Sequence, residues 1–151
     1  MLYSPNSKSI KNDLSKYDKS KEIVFISQAS INMCWARKLC QYVIEKGLVP
    51  VNYFTVYSNF VHELASLQTM IDCINTLIVR CDYLWVFGEI SEGMWHEIKM
   101  CKELGIPVRY FSIEKLPEEI NEITEDKAIY TPKFEKKMKE DLSFYPVNAS
   151  K

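Results

Sequence analysis

Cys81-Asp82-Tyr83-Leu84-Trp85-Val86-Phe87-Gly88-Glu89-Ile90-Ser91-Glu92-Gly93-Met94-Trp95-His96-Glu97 is the stretch that decides how this chain folds. Tyr83 to Phe87 is a continuous apolar run of strand type that stops at Gly88. A short polar turn follows. The spacing of Met94, Ile98 and Cys101 then predicts an amphipathic helix from about Glu92 to Leu104, ended by Gly105. In an open α/β sheet, such a junction between the carboxyl end of a strand and the amino end of a helix is where ligands bind.

The same alternation continues in both directions. Glu22-Ile23-Val24-Phe25-Ile26-Ser27 reads as a buried strand of the parallel kind. Ser30 or Asn32 is placed to cap a helix carrying Trp35, Leu39, Tyr42 and Val43 on one face, stopped by Lys46-Gly47. Leu48 to Tyr53 is the second strand. Phe60, Leu64, Leu67, Ile71, Ile74 and Ile78 keep the spacing of one buried helical face, with Ser58 or Asn59 as cap. Ile106 to Phe111 supplies a fourth strand, with Pro107 at its entry. Strands alternating with helices predict an α/β fold. The expectation is a single flavodoxin-like or Rossmann-like domain, with a parallel four- to five-stranded sheet in the order 2-1-3-4 and helices on both faces. Residues 1–21 read as a polar tail, 22–112 as the α/β domain, and 113–151 as a helical extension. The extension has two helical pieces, Pro117 to Ile123 and one opening at Thr131-Pro132 with Phe134 and Met138 on one face.

Composition narrows the function classes. The 151 residues are 47% hydrophobic and 26% charged with a formal net charge of −1, an ordinary globular balance. That balance gives no reason to expect extended nucleic acid or an anionic membrane as partner. No run of about 20 apolar residues predicts a membrane span, and the polar start does not read as a signal peptide. Five cysteines without a C-x-x-C pair read as reduced, buried thiols of a cytoplasmic protein. No G-x-G-x-x-G or Walker lysine pattern calls for a dinucleotide or ATP, so no cofactor is expected. His62 and His96 lack metal-type spacing, so no metal is expected either.

Glu97 is the leading candidate for chemistry. An exposed helix carboxylate is its plainest reading. However, Gly93 lies four residues earlier on the same helical face, and helical side chains lean toward the amino end. Glu97 therefore points over a residue without a Cβ, which leaves open space above a carboxylate suited to act as nucleophile or general base. Ser91 is the predicted N-cap or a ligand contact, and Glu89 and Glu92 make the mouth acidic, favouring a neutral sugar or nucleoside over a triphosphate. Ser27 and Gln28 end the first strand, and Asn52 and Tyr53 end the second. They join Ser91, Glu92 and Gly93 as candidate binding residues at the carboxyl edge. Asp82 at the entry of the third strand reads as a charge at a strand end.

Taken together, Ile-Val-Phe-Ile-Ser, Glu-Lys-Gly-Leu-Val-Pro, Cys-Asp-Tyr-Leu-Trp-Val-Phe-Gly, Ser-x-Gly-Met-x-x-Glu-Ile and Gly-Ile-Pro-Val resemble the nucleoside 2-deoxyribosyltransferase-like superfamily over roughly Glu22 to Ser112. The nearest resemblance is to its small bacterial and phage domains. That resemblance implies Glu97 as nucleophile toward the anomeric carbon of a nucleoside or nucleotide. It also implies that Asp82 and the Ser91-Glu92-Gly93 turn border the pocket, and that the protein is a homo-oligomer. Phe25 and Ala29 stand where that superfamily often has Tyr and Pro, and Tyr53-Phe54 where it often has a Pro-His pair. Two alternatives stay open: a binding or sensing protein on the same scaffold, holding its ligand without turnover and with the Glu97 carboxylate buried against Arg37, Arg80 or Arg109, and a protein-interaction module.

Overall fold

The computed structural model describes residues 21–57 and 65–144. The predicted caps Ser58 and Asn59, together with Phe60, His62 and Leu64, lie outside the described residues. The chain runs β1 (Ile23–Gln28), a 3-10 segment (Ser30–Trp35), α1 (Ala36–Glu45), β2 (Val49–Asn52) and a four-residue α2 (Tyr53–Val56). It continues as α3 (Leu67–Ile78), β3 (Tyr83–Phe87), α4 (Glu92–Leu104), β4 (Val108–Ser112), β5 (Asn121–Ile123) and α5 (Pro132–Glu140). Among the described residues, no helix is long and apolar enough to cross a membrane.

The five strands form one sheet in the order β2-β1-β3-β4-β5, parallel except for β5, which pairs antiparallel with β4. The fold is thus the expected α/β type with helices on both faces. Period-two alternation separates the two cores. Phe25, Leu84, Val86 and Tyr110 face α3, α4 and α5, where they meet Ile78, Met94, Ile98, Cys101 and Phe134. Val24, Ile26, Trp85, Phe87 and Phe111 face α1 through Leu39 and Val43. On that side Phe87 stacks on Phe111 at 4.8 Å, and Arg109 lies 4.8 Å over the Trp85 ring while pairing with Glu122. From β1 the chain winds outward to β2, then returns past β1 to β3. The winding therefore reverses between β1 and β3, which opens a crevice at their carboxyl ends.

Several expectations need correction. Neither Ser30 nor Asn32 caps α1. Both lie in the 3-10 segment, and Trp35 occupies the cap position without a side-chain bond. Ser66 caps α3, its hydroxyl accepting from the Thr69 amide. The apolar face of α3 is only half core. Ile78 is fully buried, but Leu67 is 77% exposed and Ile71 39%, because the first turns of the helix line a cavity at the sheet edge. The expected helix over Pro117 to Ile123 is a turn followed by β5. Asn121 to Ile123 instead complete the ladder that β4 would otherwise leave open. Residues 113–144 therefore belong to the same sheet and core rather than to a separate helical extension. Cys81 and Cys101 are buried and all five thiols are free, but Cys34 is exposed on the 3-10 segment.

Candidate functional site

Gly88 ends β3 with φ of +76°, a left-handed turn that other residues rarely adopt. A Cβ there would lie 2.9 Å from the Ile113 side chain. The turn leads to Ser91, whose hydroxyl accepts the Met94 amide at 3.4 Å and opens α4. Met94, Ile98 and Cys101 then bury the inner face of α4 as predicted. This anchoring sets Glu97 at the crevice, above the end of β1.

Glu97 lines a cavity of about 570 Å³ at the carboxyl edge of the sheet. One wall is apolar and aromatic, made of Tyr53, Phe54, Met70, Ile71 and Ile74, and the other is the Ser91-Glu92-Gly93 turn. Gly93 leaves space as expected, since a Cβ there would meet only the Ser91 hydroxyl, 4.0 Å away. A hollow of about 430 Å³ between α3 and α4 also reaches Glu97, past His96 and Met100. Ser27 donates its hydroxyl to Glu97 Oε2 at 2.5 Å. Burial pushes the Glu97 carboxyl up to about 7, against the opposing pull of the Ser27 hydrogen bond. Among the described residues no cation pairs with Glu97. Arg80 bonds the Thr76 carbonyl and Arg109 pairs with Glu122, so neither serves the carboxylate.

The remaining candidates divide clearly. Glu92 and Gly93 line the cavity with Ser27, Gln28, Tyr53 and Ser91. Asp82 does not. It is exposed at the amino end of β3, where it accepts the Ile23 amide at 2.7 Å, so a full strand length separates it from Glu97. Gln28 and Asn52 are buried and committed to each other. Asn52 donates its amide to Gln28 Oε1 at 2.7 Å, Gln28 donates to the Asn32 carbonyl at 2.7 Å, and Asn52 Oδ1 accepts the Phe54 amide. Their role is to tie the loops after β1 and β2 together, and Asn52 does not line the cavity. Replacing Asn52 with alanine is expected to lower stability by about 1–3 kcal/mol, because it orphans the buried Gln28 carbonyl. A urea unfolding midpoint checks this.

The mouth is less acidic than expected. Lys137 pairs with Glu92 at 2.5 Å. A neighbouring cavity of about 690 Å³, which shares Ser30, Ser91, Glu92 and Gly93 with the first, is lined by Lys133, Lys136 and Lys137 of α5. Sequence reading did not link α5 to the site. The sequence offers Tyr53 and Phe54 after β2 either as aromatics that stack on a base or as core packing, and both line the cavity wall. It does not link the cavity-facing turns of α3 to the site, although the uninterrupted apolar spacing of Leu67, Ile71 and Ile74 is their signal.

No curated protein matches the chain at a significant level. A family model matches residues 15–111, which take in β1 through most of β4 and both Ser27 and Glu97, and the chain belongs to that family, described as Domain of unknown function (DUF7768).

Proposed function

We propose that the cavity binds a nucleoside or nucleotide and that Glu97 cleaves or exchanges its N-glycosidic bond. The observation that carries this reading is a half-buried carboxylate at the crevice of a doubly wound sheet, facing a cavity with one aromatic, apolar wall. Such a wall suits the flat face of a base, and cavities of about 300–1,000 Å³ suit small ligands. The sequence resemblance to nucleoside 2-deoxyribosyltransferases supports the same assignment.

In this mechanism a Glu97 oxygen attacks the anomeric carbon as the bond to the base nitrogen breaks. The base leaves with the bonding pair and takes a proton from solvent. Water or a second base then attacks the same carbon and frees the carboxylate. Two displacements of this kind return the original configuration. Only the ionised carboxylate is a nucleophile, so a group near 7 is partly active at neutral pH and fully active above it. The burial that raises the pKa also strengthens the electrostatic interaction with an oxocarbenium-like centre.

Incubation with a panel of nucleosides and nucleotides, followed by chromatography for free base and intact mass of the protein, tests the reading. Released base with a sugar adduct on Glu97 is the expected result. An intact ligand retained without release would instead support a binding protein. That second reading is favoured by Phe25, which is buried and offers no hydroxyl to the carboxylate.

A further inference from the structure

We propose that Ser27 is the positioning residue of Glu97, its hydroxyl holding Oε2 so that the other carboxylate oxygen is presented to the cavity. This rests on the reading of Glu97 as the nucleophile. Ser27 was expected to meet the ligand, but its hydroxyl proton is directed to Glu97 at 2.5 Å. An ionised carboxylate only accepts, so the serine must donate. Among the described residues this is the only hydrogen bond to the carboxylate, and Oε1 has no partner.

The placement follows from the strand. Ser27 is two residues beyond Phe25, so both side chains face α4. Its strand is hydrogen-bonded on both sides, by β2 and by β3, where Ser27 is in register with Val86. At 1% exposure the serine is closed to bulk water, so solvent does not readily substitute for its hydroxyl. A side chain with a single χ angle on a central strand is a rigid donor, and loses little entropy in holding its partner.

Among the described residues, the other groups around Glu97 do not duplicate this function. The Cys101 thiol, one turn further along α4, is pushed up to about 12 by burial and by Glu97 itself, so it is neutral. Glu92 is paired with Lys137. His96 is exposed and shares the cavity lining, and Tyr53 contributes its ring from across the cavity. The described cavity-lining residues of α3 are Leu67, Met70, Ile71 and Ile74, none of which titrates.

The test is a carboxyl-carbon NMR titration of Glu97 in the full chain, wild type against Ser27→Ala, with thermal melts to establish that both are folded. The hydroxyl favours the ionised form, so its loss is expected to move the Glu97 midpoint upward by about one pH unit. The acid limb of base release moves with it. Release at pH 7 then falls about fivefold, recovers by about pH 9 and leaves KM unchanged. An unmoved midpoint overturns the proposal, as does a loss of rate that is the same at every pH. Absence of base release from the wild type counts against glycosyl transfer, whereas the titration still judges the contact between Ser27 and Glu97.

Discussion

Glu97→Gln is expected to lose base release by at least about a thousandfold, the scale seen when a covalent nucleophile is removed. It is also expected to leave the protein more stable than the wild type above pH 7. Both effects come from the same burial. The carboxyl group titrates near 7 in the fold rather than near its ordinary 4.5, so the folded state holds a proton that the unfolded chain releases. The contribution of this group to stability is therefore greatest below about pH 4.5, falls as pH rises through the interval up to about 7, and is level above it. Allowing for solvent screening in an open cleft, the loss is about 1–2 kcal/mol. Glutamine has the shape of the neutral acid, and its carbonyl still accepts from Ser27, so the variant avoids the loss. Urea midpoints at pH 4 and pH 8 measure the difference. A variant equal to the wild type at pH 4 and more stable at pH 8 meets the expectation. Equal midpoints at both values would mean that the carboxylate is well solvated. A stability gain coupled to a loss of turnover is the pattern of a site held in place against its own folding energy.

The parallel strands were legible because they are short apolar runs, three of them beside Gly47, Gly88 or Pro107, and because α1 and α4 stop at Gly47 and Gly105. Gly105 adopts the left-handed conformation predicted for a helix end, and Thr131-Pro132 opens α5 where the pair predicts it. Elements whose form depends on a neighbour were not legible. Nothing local in Asn121-Glu122-Ile123 marks a strand, and the segment is extended because β4 has an unpaired edge beside it. In α3, regular apolar spacing reports a face but not what the face meets, and here it passes from core at Ile78 to cavity at Ile71.

The site divides on similar lines. Glu97, Gly93 and Ser91 were readable because all three lie within seven residues of one helix start, where helical geometry fixes their relation. The pairing of Ser27 with Glu97 spans 70 positions, and only the alternation of β1 together with the helix covering that face makes it derivable. Asp82 lies closer in sequence to the turn but at the wrong end of the strand. Five extended residues move it by about 17 Å from the crevice. Gln28 and Asn52 are at the right edge, yet each satisfies the other, and a polar residue at a sheet edge does not reveal from sequence whether its hydrogen bonds are already taken.

Phe134→Ala is expected to cost about 3–5 kcal/mol, the range for removing a buried aromatic side chain, and to carry its effect to the mouth of the cavity. Phe134 is 3% exposed and packs edge-on against Trp95 of α4, Tyr130 and Phe144, with ring centroids 5.3–6.2 Å apart. Just before it, Thr131 donates its amide to the Ile90 carbonyl and Ile90 donates to that of Ile129, so the segment is bridged to the turn between β3 and α4. Lys137, on the same helix, neutralises Glu92. The ring thus secures a helix that supplies both a wall of the neighbouring cavity and the countercharge at the cavity rim. The family match ends at residue 111, so this wall comes from chain beyond the matched region. Urea unfolding followed by tryptophan emission, with amide exchange read over residues 129–140, separates two outcomes. A lowered midpoint with one cooperative transition means that α5 is part of the folding unit and closes the site as a fixed wall. Loss of exchange protection confined to 129–140, with the global midpoint held, means that α5 detaches as a local unit. Glu92 then loses its partner, and ligand binding changes without loss of the fold.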